Sequence, residues 1–135
     1  MAEMHQIFLA PRSNETAYKH FKSTIEHGVE YRRVAPFLSV EGKKLLKKDK
    51  LLYVWGNVGD KKSSWDKMNP GDYVLFYAKG KFRYVGKLKY KQFDEKLSLS
   101  LWPRNKKGKT WPCVFFLYDV REIDIPMKKI RELGK

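Results

Sequence analysis

The run Asn69-Pro70-Gly71-Asp72-Tyr73-Val74-Leu75-Phe76-Tyr77-Ala78-Lys79-Gly80-Lys81-Phe82 decides the fold class. Pro70 and Gly71 mark a turn. Residues 73–77 then form a continuous apolar run, the pattern of a strand buried on both faces. Residues 78–81 read as a hairpin loop. Beyond it Phe82, Tyr84, Gly86, Leu88 and Tyr90 alternate with Arg83, Val85, Lys87 and Lys89. The returning strand therefore has one face for a core and one mostly cationic face. Gly86 in mid-strand predicts a bulge or a close backbone approach.

Outward from this hairpin the chain reads as further short strands. Residues 6–10 form a first strand closed by Pro11. Residues 51–55 form another, with Leu51, Tyr53 and Trp55 on one face. Residues 97–101, 114–118 and 120–125 complete the set. Ala17, Phe21 and Ile25 recur every four residues, so a helix starts near Ser13 or Asn14 as N-cap and stops at Gly28. Residues 31–40 read as irregular or extended, and 43–48 as one basic helical turn. Trp65 and Met68, three apart, place Trp65 in the core of a short helix. Met127, Ile130 and Leu133 suit a closing helical segment. Many short strands without regular strand–helix alternation predict an α+β class, a small mixed β-barrel flanked by short helices. At 135 residues the chain reads as a single domain, 1–135.

The charge balance is strongly basic: 29 Lys and Arg against 15 Asp and Glu, a formal net charge of +14. Such a surface calls for a polyanion, nucleic acid before membrane. A lysine-rich thermophile surface would carry matching Glu, which this chain does not. Cys113 is the single cysteine and lies in an apolar run, so it reads as a buried, inert thiol. His5, His20 and His27 make no metal-ligand cluster. There is no Gly-rich phosphate loop and no nucleophile elbow. The expectation is a domain without catalysis, metal or cofactor. With no 18-residue apolar span and no signal-peptide pattern, a cytoplasmic setting is expected.

The tryptophans carry the functional reading. Trp102 and Trp111 bracket a loop containing Arg104, Lys106, Lys107 and Lys109, and Trp55 ends an apolar run at Gly56. Aromatic planes beside mobile cations can stack a base while holding its phosphates. If 97–101 is a strand, its leucines share one face and Trp102 lies with Ser98 and Ser100 on the polar one. The structural alternative has Trp102 wrapping round a sheet edge to pack. The loop cations together with Lys61 and Lys62 are the candidate phosphate contacts.

Several of these stretches together resemble the EVE, YTH and PUA-like superfamily. Residues 66–77 resemble an EVE hallmark, met-x-x-gly-asp-x-val-leu-phe-tyr. Val54-Trp55-Gly56 looks like a YTH Val-Trp-Ser element and Gly80-Lys81-Phe82 like its Gly-Lys-Phe hairpin. Trp102-Pro103, Trp111 ahead of Val114-Phe115, and Ser13-Asn14 stand where that pattern places cage and base-edge residues. The resemblance implies a base cage of Trp55, Trp102 and Trp111, with polar contacts from Ser13, Asn14 and the backbone at Gly56, where the pattern has serine. The chain also looks like the N-terminal DNA-recognition domain of archaeal McrB-type restriction motors. That likeness implies reading of modified DNA, 6-methyladenine foremost, by base flipping, alongside a fused or associated AAA+ motor and nuclease. DNA is favoured as partner. A PUA-like RNA-binding module with structural tryptophans stays open. A methyl-lysine reader fits poorly because +14 repels a basic tail, and an anionic membrane lacks its amphipathic basic helix.

Overall fold

The computed structural model describes residues 5–12 and 14–128. Six strands form one mixed sheet: β1 (Ile7–Pro11), β2 (Val29–Glu30), β3 (Leu51–Asn57), β4 (Tyr73–Ala78), β5 (Lys81–Phe93) and β6 (Cys113–Pro126). Their order across the sheet is β1-β4-β5-β6-β3-β2. β1 runs parallel to β4, and every other pair is antiparallel. Among the described residues, five short α-helices flank it: α1 (Glu15–Phe21), α2 (Tyr31–Val34), α3 (Val40–Leu46), α4 (Lys62–Asp66) and α5 (Glu95–Leu101).

The turn that opens β4 is built by its acid. The buried Asp72 carboxylate accepts from the Asn69 N–H at 2.8 Å and the Gln6 N–H at 3.0 Å. Gly71 holds φ +92°, a backbone conformation that costs other residues strain. The β4–β5 loop has Lys79 and Gly80 both at positive φ, the arrangement of a type I′ hairpin turn. At Gly86 the ladder register shifts, and a side chain there would press on Leu117 and Val120. The expectation of a bulge or a close approach at that glycine holds.

The expected barrel does not close. β1 and β3 do not pair, and the helical segment after β1 packs along the opening. Asn14 caps α1 by accepting from the Ala17 N–H at 2.7 Å. A π-helical turn, Lys22–Glu26, continues it, and Gly28 ends it at φ +78°. Phe21 meets Trp55 of β3, Phe76 of β4 and Tyr84 of β5 edge to face. The Thr24 hydroxyl donates to the Val54 carbonyl at 2.5 Å.

Two apolar cores lie on the two faces of β3 and β6. One contains Phe21, Trp55, Trp65, Phe76 and Phe115; the other contains Val54, Leu97, Leu101, Trp102 and Phe116. Trp65 is core as expected.

Residues 97–101 are helical, not a strand. Asp94 caps α5 by accepting from the Leu97 N–H at 3.1 Å, and Glu95 suits the helix N-terminus. Leu97 and Leu101 are four apart and bury together, while Leu99 is exposed. Leu–Ser alternation over five residues fits both periods, and the cap decides between them. Residues 31–40 hold α2 and a 3₁₀ turn, Ala35–Phe37, rather than irregular chain. The two strands expected over 114–125 are one, β6, with Asp119 at φ 51°. Ile130 and Leu133 of the expected closing segment lie outside the described residues.

Candidate nucleic-acid interface

The end of β3 sits where the two cores meet the open edge of the sheet. The pleat sends Trp55 into the first core, against Phe76 at 5.1 Å between ring centroids. Gly56 faces the other side, where Trp102 and Trp111 crowd its α-carbon. A β-carbon at Gly56 would lie 2.8 Å from the Trp102 ring, 2.9 Å from the Trp111 carbonyl oxygen and 3.0 Å from Trp111 Cβ. Glycine is what this approach permits, and it explains why serine is absent from the Val54-Trp55-Gly56 element.

One buried residue holds both tryptophans. The Ser98 carbonyl accepts from the Trp102 N–H at 2.8 Å, and its hydroxyl accepts from the Trp111 N–H at 2.9 Å. Trp111 is half-buried. Trp102 is only 1 % exposed, and its indole Nε1 has no hydrogen-bond partner among the described residues. The expectation that Trp102 stands on the polar face of a strand is corrected: with α5 helical, it turns in at the helix end and packs, as the structural alternative had it.

His20 covers it. The imidazole stacks on Trp102 at 5.4 Å between centroids and 25° between planes. It meets Trp111 edge to face at 4.4 Å. Burial lowers the His20 pKa from 6.5 to about 4, so the ring is neutral at neutral pH.

A half-open cavity of about 370 Å³ brings together Asn14, His20, Trp55, Gly56, Trp102 and Trp111. Five of these are residues singled out in the sequence; Ser13, the sixth of the group, lies outside the described residues. The Asn14 side-chain oxygen is spent on its helix, which leaves the amide NH₂ to face a ligand. A second cavity of about 340 Å³ lies across the His20–Trp102 stack, and Lys19, Arg104, Asn105 and Lys106 line it.

The cationic loop is shaped by Asn105, whose side chain accepts from the Lys107 and Lys109 N–H groups at 2.8 and 2.9 Å. Arg104 pairs with Glu95 and Lys109 with Asp60. Lys62 pairs with Asp66. Lys61, Lys106 and Lys107 are exposed and make no ion pair with another described residue. The phosphate candidates are thus the loop cations beside the cavities, and Lys61 and Lys62 just beyond the end of β3, where the Lys109–Asp60 pair joins the two.

Sequence reasoning missed His20, Ser98 and Asn105. Asn105 carried a signal, since Asn ahead of a glycine (Gly108, φ +77°) is turn chemistry. Ser98 and His20 carried none: each matters through a residue distant in sequence. Cys113 is buried, and burial raises its thiol pKa. The described residues hold no group of three or more potential metal ligands. No described helix is long and apolar enough to cross a membrane.

No protein-family model matches this chain, and no curated protein matches it. A solved structure does. In fold the chain is similar to the N-terminal domain of Thermococcus gammatolerans McrB bound to m5C DNA. The two superpose with a TM-score of 0.69 at 18% identity, covering 95% of this chain and 82% of that one. The likeness to McrB-type recognition domains, expected from short motifs, thus holds for the architecture over nearly the whole chain.

Proposed function

We propose that this domain is a non-catalytic reader that binds DNA and receives a flipped, methylated base at the open edge of its sheet. The observation that carries the reading is the cavity of about 370 Å³ walled by Trp55, Trp111 and the His20–Trp102 stack, floored at Gly56, with a cationic loop at its rim. The McrB likeness supports DNA as the ligand. The YTH-like motifs favour 6-methyladenine over other modified bases. The structural neighbour was solved with m5C DNA, which makes 5-methylcytosine the direct competitor.

Magnitudes divide the labour. Charge supplies affinity without sequence preference. Stacking adds about 1–3 kcal/mol per base but accepts any base. Burying one methyl adds roughly 0.8 kcal/mol, a few-fold in affinity. Selectivity therefore needs a polar contact to the base edge, a role this reading gives to the Asn14 amide and the Gly56 backbone, both of which line the cavity. Flipping costs a few kcal/mol, which phosphate contacts from Arg104, Lys106, Lys107 and Lys109 of the loop and from Lys61 and Lys62 beyond β3 can offset. A reader of this kind would act inside the cell, fused to or working with an AAA+ motor and nuclease that act on what it binds.

The near-complete burial of Trp102 favours one competing reading, an RNA-binding PUA-like module whose tryptophans are structural. One panel decides. Affinities are measured for matched duplex and single strands, DNA and RNA, carrying 6-methyladenine, 5-methylcytosine or neither, across a salt series. The expected result is a steep linear fall of log affinity with log salt for every ligand, and the tightest binding to 6-methyladenine DNA. Tightest binding to unmodified RNA overturns the reading. A flat salt response removes nucleic acid altogether.

A further inference from the structure

Among the aromatic side chains at the open edge, the one that covers the Trp102 ring is not a tryptophan. Trp102 is 1 % exposed, so a ligand entering the cavity cannot reach its face without rearrangement. His20 lies flat on that face and also meets Trp111, so it is the ring presented in Trp102's place. Its imidazole lines the base-sized cavity and the cationic one alike. No described residue hydrogen-bonds to the His20 side chain, whereas its backbone is fixed: the carbonyl accepts from the Ser23 hydroxyl at 3.1 Å. Phe21, the next residue, is fully buried and locks the helical turn. A rigid backbone carrying a ring with no internal polar partner is how a preorganised contact is built.

We infer that His20 is the aromatic wall on which the captured base packs, and that Trp102 acts as a positioning residue behind it. This rests on the base-reading proposal and names a residue that the sequence pattern did not supply. In this arrangement His20 and Trp111 touch the base, and Trp55, only 5 % exposed, backs the cavity from the first core. Trp102 fixes the imidazole plane, and Gly56 leaves room for Trp102. The partition formed by His20 and Trp102 then separates the base from the cavity with Lys19, Arg104 and Lys106, which suits the adjacent phosphate.

The test is a set of substitutions at one position, read by affinity for a methylated and an unmodified single-stranded oligonucleotide and by melting temperature. His20→Ala is expected to weaken the methylated strand roughly ten-fold, the scale of one lost aromatic–base contact. His20→Phe, which restores a ring without nitrogens, recovers most of that loss, and His20→Gln, polar without a ring, does not. If His20→Ala unfolds, the Phe and Gln variants decide by themselves. His20→Ala binding as tightly as wild type or tighter overturns the inference: the imidazole is then a plug and the base meets Trp102. Equal affinities for the Phe and Gln variants overturn it too. A wild-type protein that binds both strands equally refutes methyl reading, yet the loss in His20→Ala on both strands still reports the wall.

Discussion

Trp65 and Trp102 are buried almost alike, 6 % and 1 % exposed, and yet they sit in different kinds of place. Trp65 donates its indole N–H to the Val114 carbonyl at 3.2 Å. Lys91 lies 4.5 Å from its ring centroid and donates to the Trp65 and Asp66 carbonyls at 2.7 and 2.9 Å. Trp102 has the same indole with no acceptor, a histidine on its face and a cavity on each side. An unpaired buried donor costs about 1–3 kcal/mol, so a region optimised for stability alone would pair it. Depth of burial therefore does not separate these two tryptophans; the state of the polar atom and the space beside it do.

Truncation gives the largest effect. Trp65→Ala and Trp102→Ala each remove a buried indole and should cost roughly 3–5 kcal/mol in urea titrations. The phenylalanine variants then separate the two regions. Trp65→Phe loses a hydrogen bond and should be about 1 kcal/mol less stable than Trp102→Phe, which loses an unpaired donor. Equal costs would break the comparison.

Gly56→Ala comes next. The added methyl meets a ring and a backbone carbonyl, and such overpacking costs about 1–3 kcal/mol. Because the crowding falls on Trp102 and Trp111, preference for a methylated strand should fall with stability. A variant as stable as wild type would mean that the approach relaxes freely.

The loop tests the other half of the division of labour. Changing Lys106, Lys107 and Lys109 to Ala should make the slope of log affinity against log salt shallower by about 2 to 3. The ratio of methylated to unmodified affinity should not move. A changed ratio would place base reading in the loop.

The smallest effect is a pH dependence of stability. His20 binds its proton less readily in the fold, at about 4, than in the unfolded chain, at 6.5. Between those values the unfolded state holds more protons, so stability should fall as pH drops from about 6.5 towards 4. Denaturation midpoints of wild type and His20→Ala should converge across that window; parallel curves would mean that the imidazole is not held neutral.

Much of the sheet was legible in the sequence because its signals are local. The turn at Asn69–Asp72, the apolar run of β4 and the alternation after Lys79-Gly80 each declare themselves within a few residues. The misreading of α5 shows the limit. Five residues satisfied a two-residue and a four-residue period together, and the deciding Asp94 cap lay outside the window. The open edge was illegible for another reason: whether β1 reaches β3 depends on how far the sheet coils, which no single strand encodes. For the site, motif positions brought Asn14, Trp55, Gly56, Trp102 and Trp111 to one place. They said nothing of His20, which joins the group only because Phe21, one position on, is anchored between β3 and β4.

The central claim concerns an aromatic seam that reads a methyl group, and Trp111, half-buried and held by its backbone to Ser98, is where it can be tested without losing the fold. The measurement is the ratio of affinities for 6-methyladenine and unmodified DNA, in wild type and Trp111→Ala, with melting temperatures alongside. The expected wild-type ratio is a few-fold or more, and it falls close to one in Trp111→Ala with the fold retained. An unchanged ratio in a folded Trp111→Ala protein would contradict the claim.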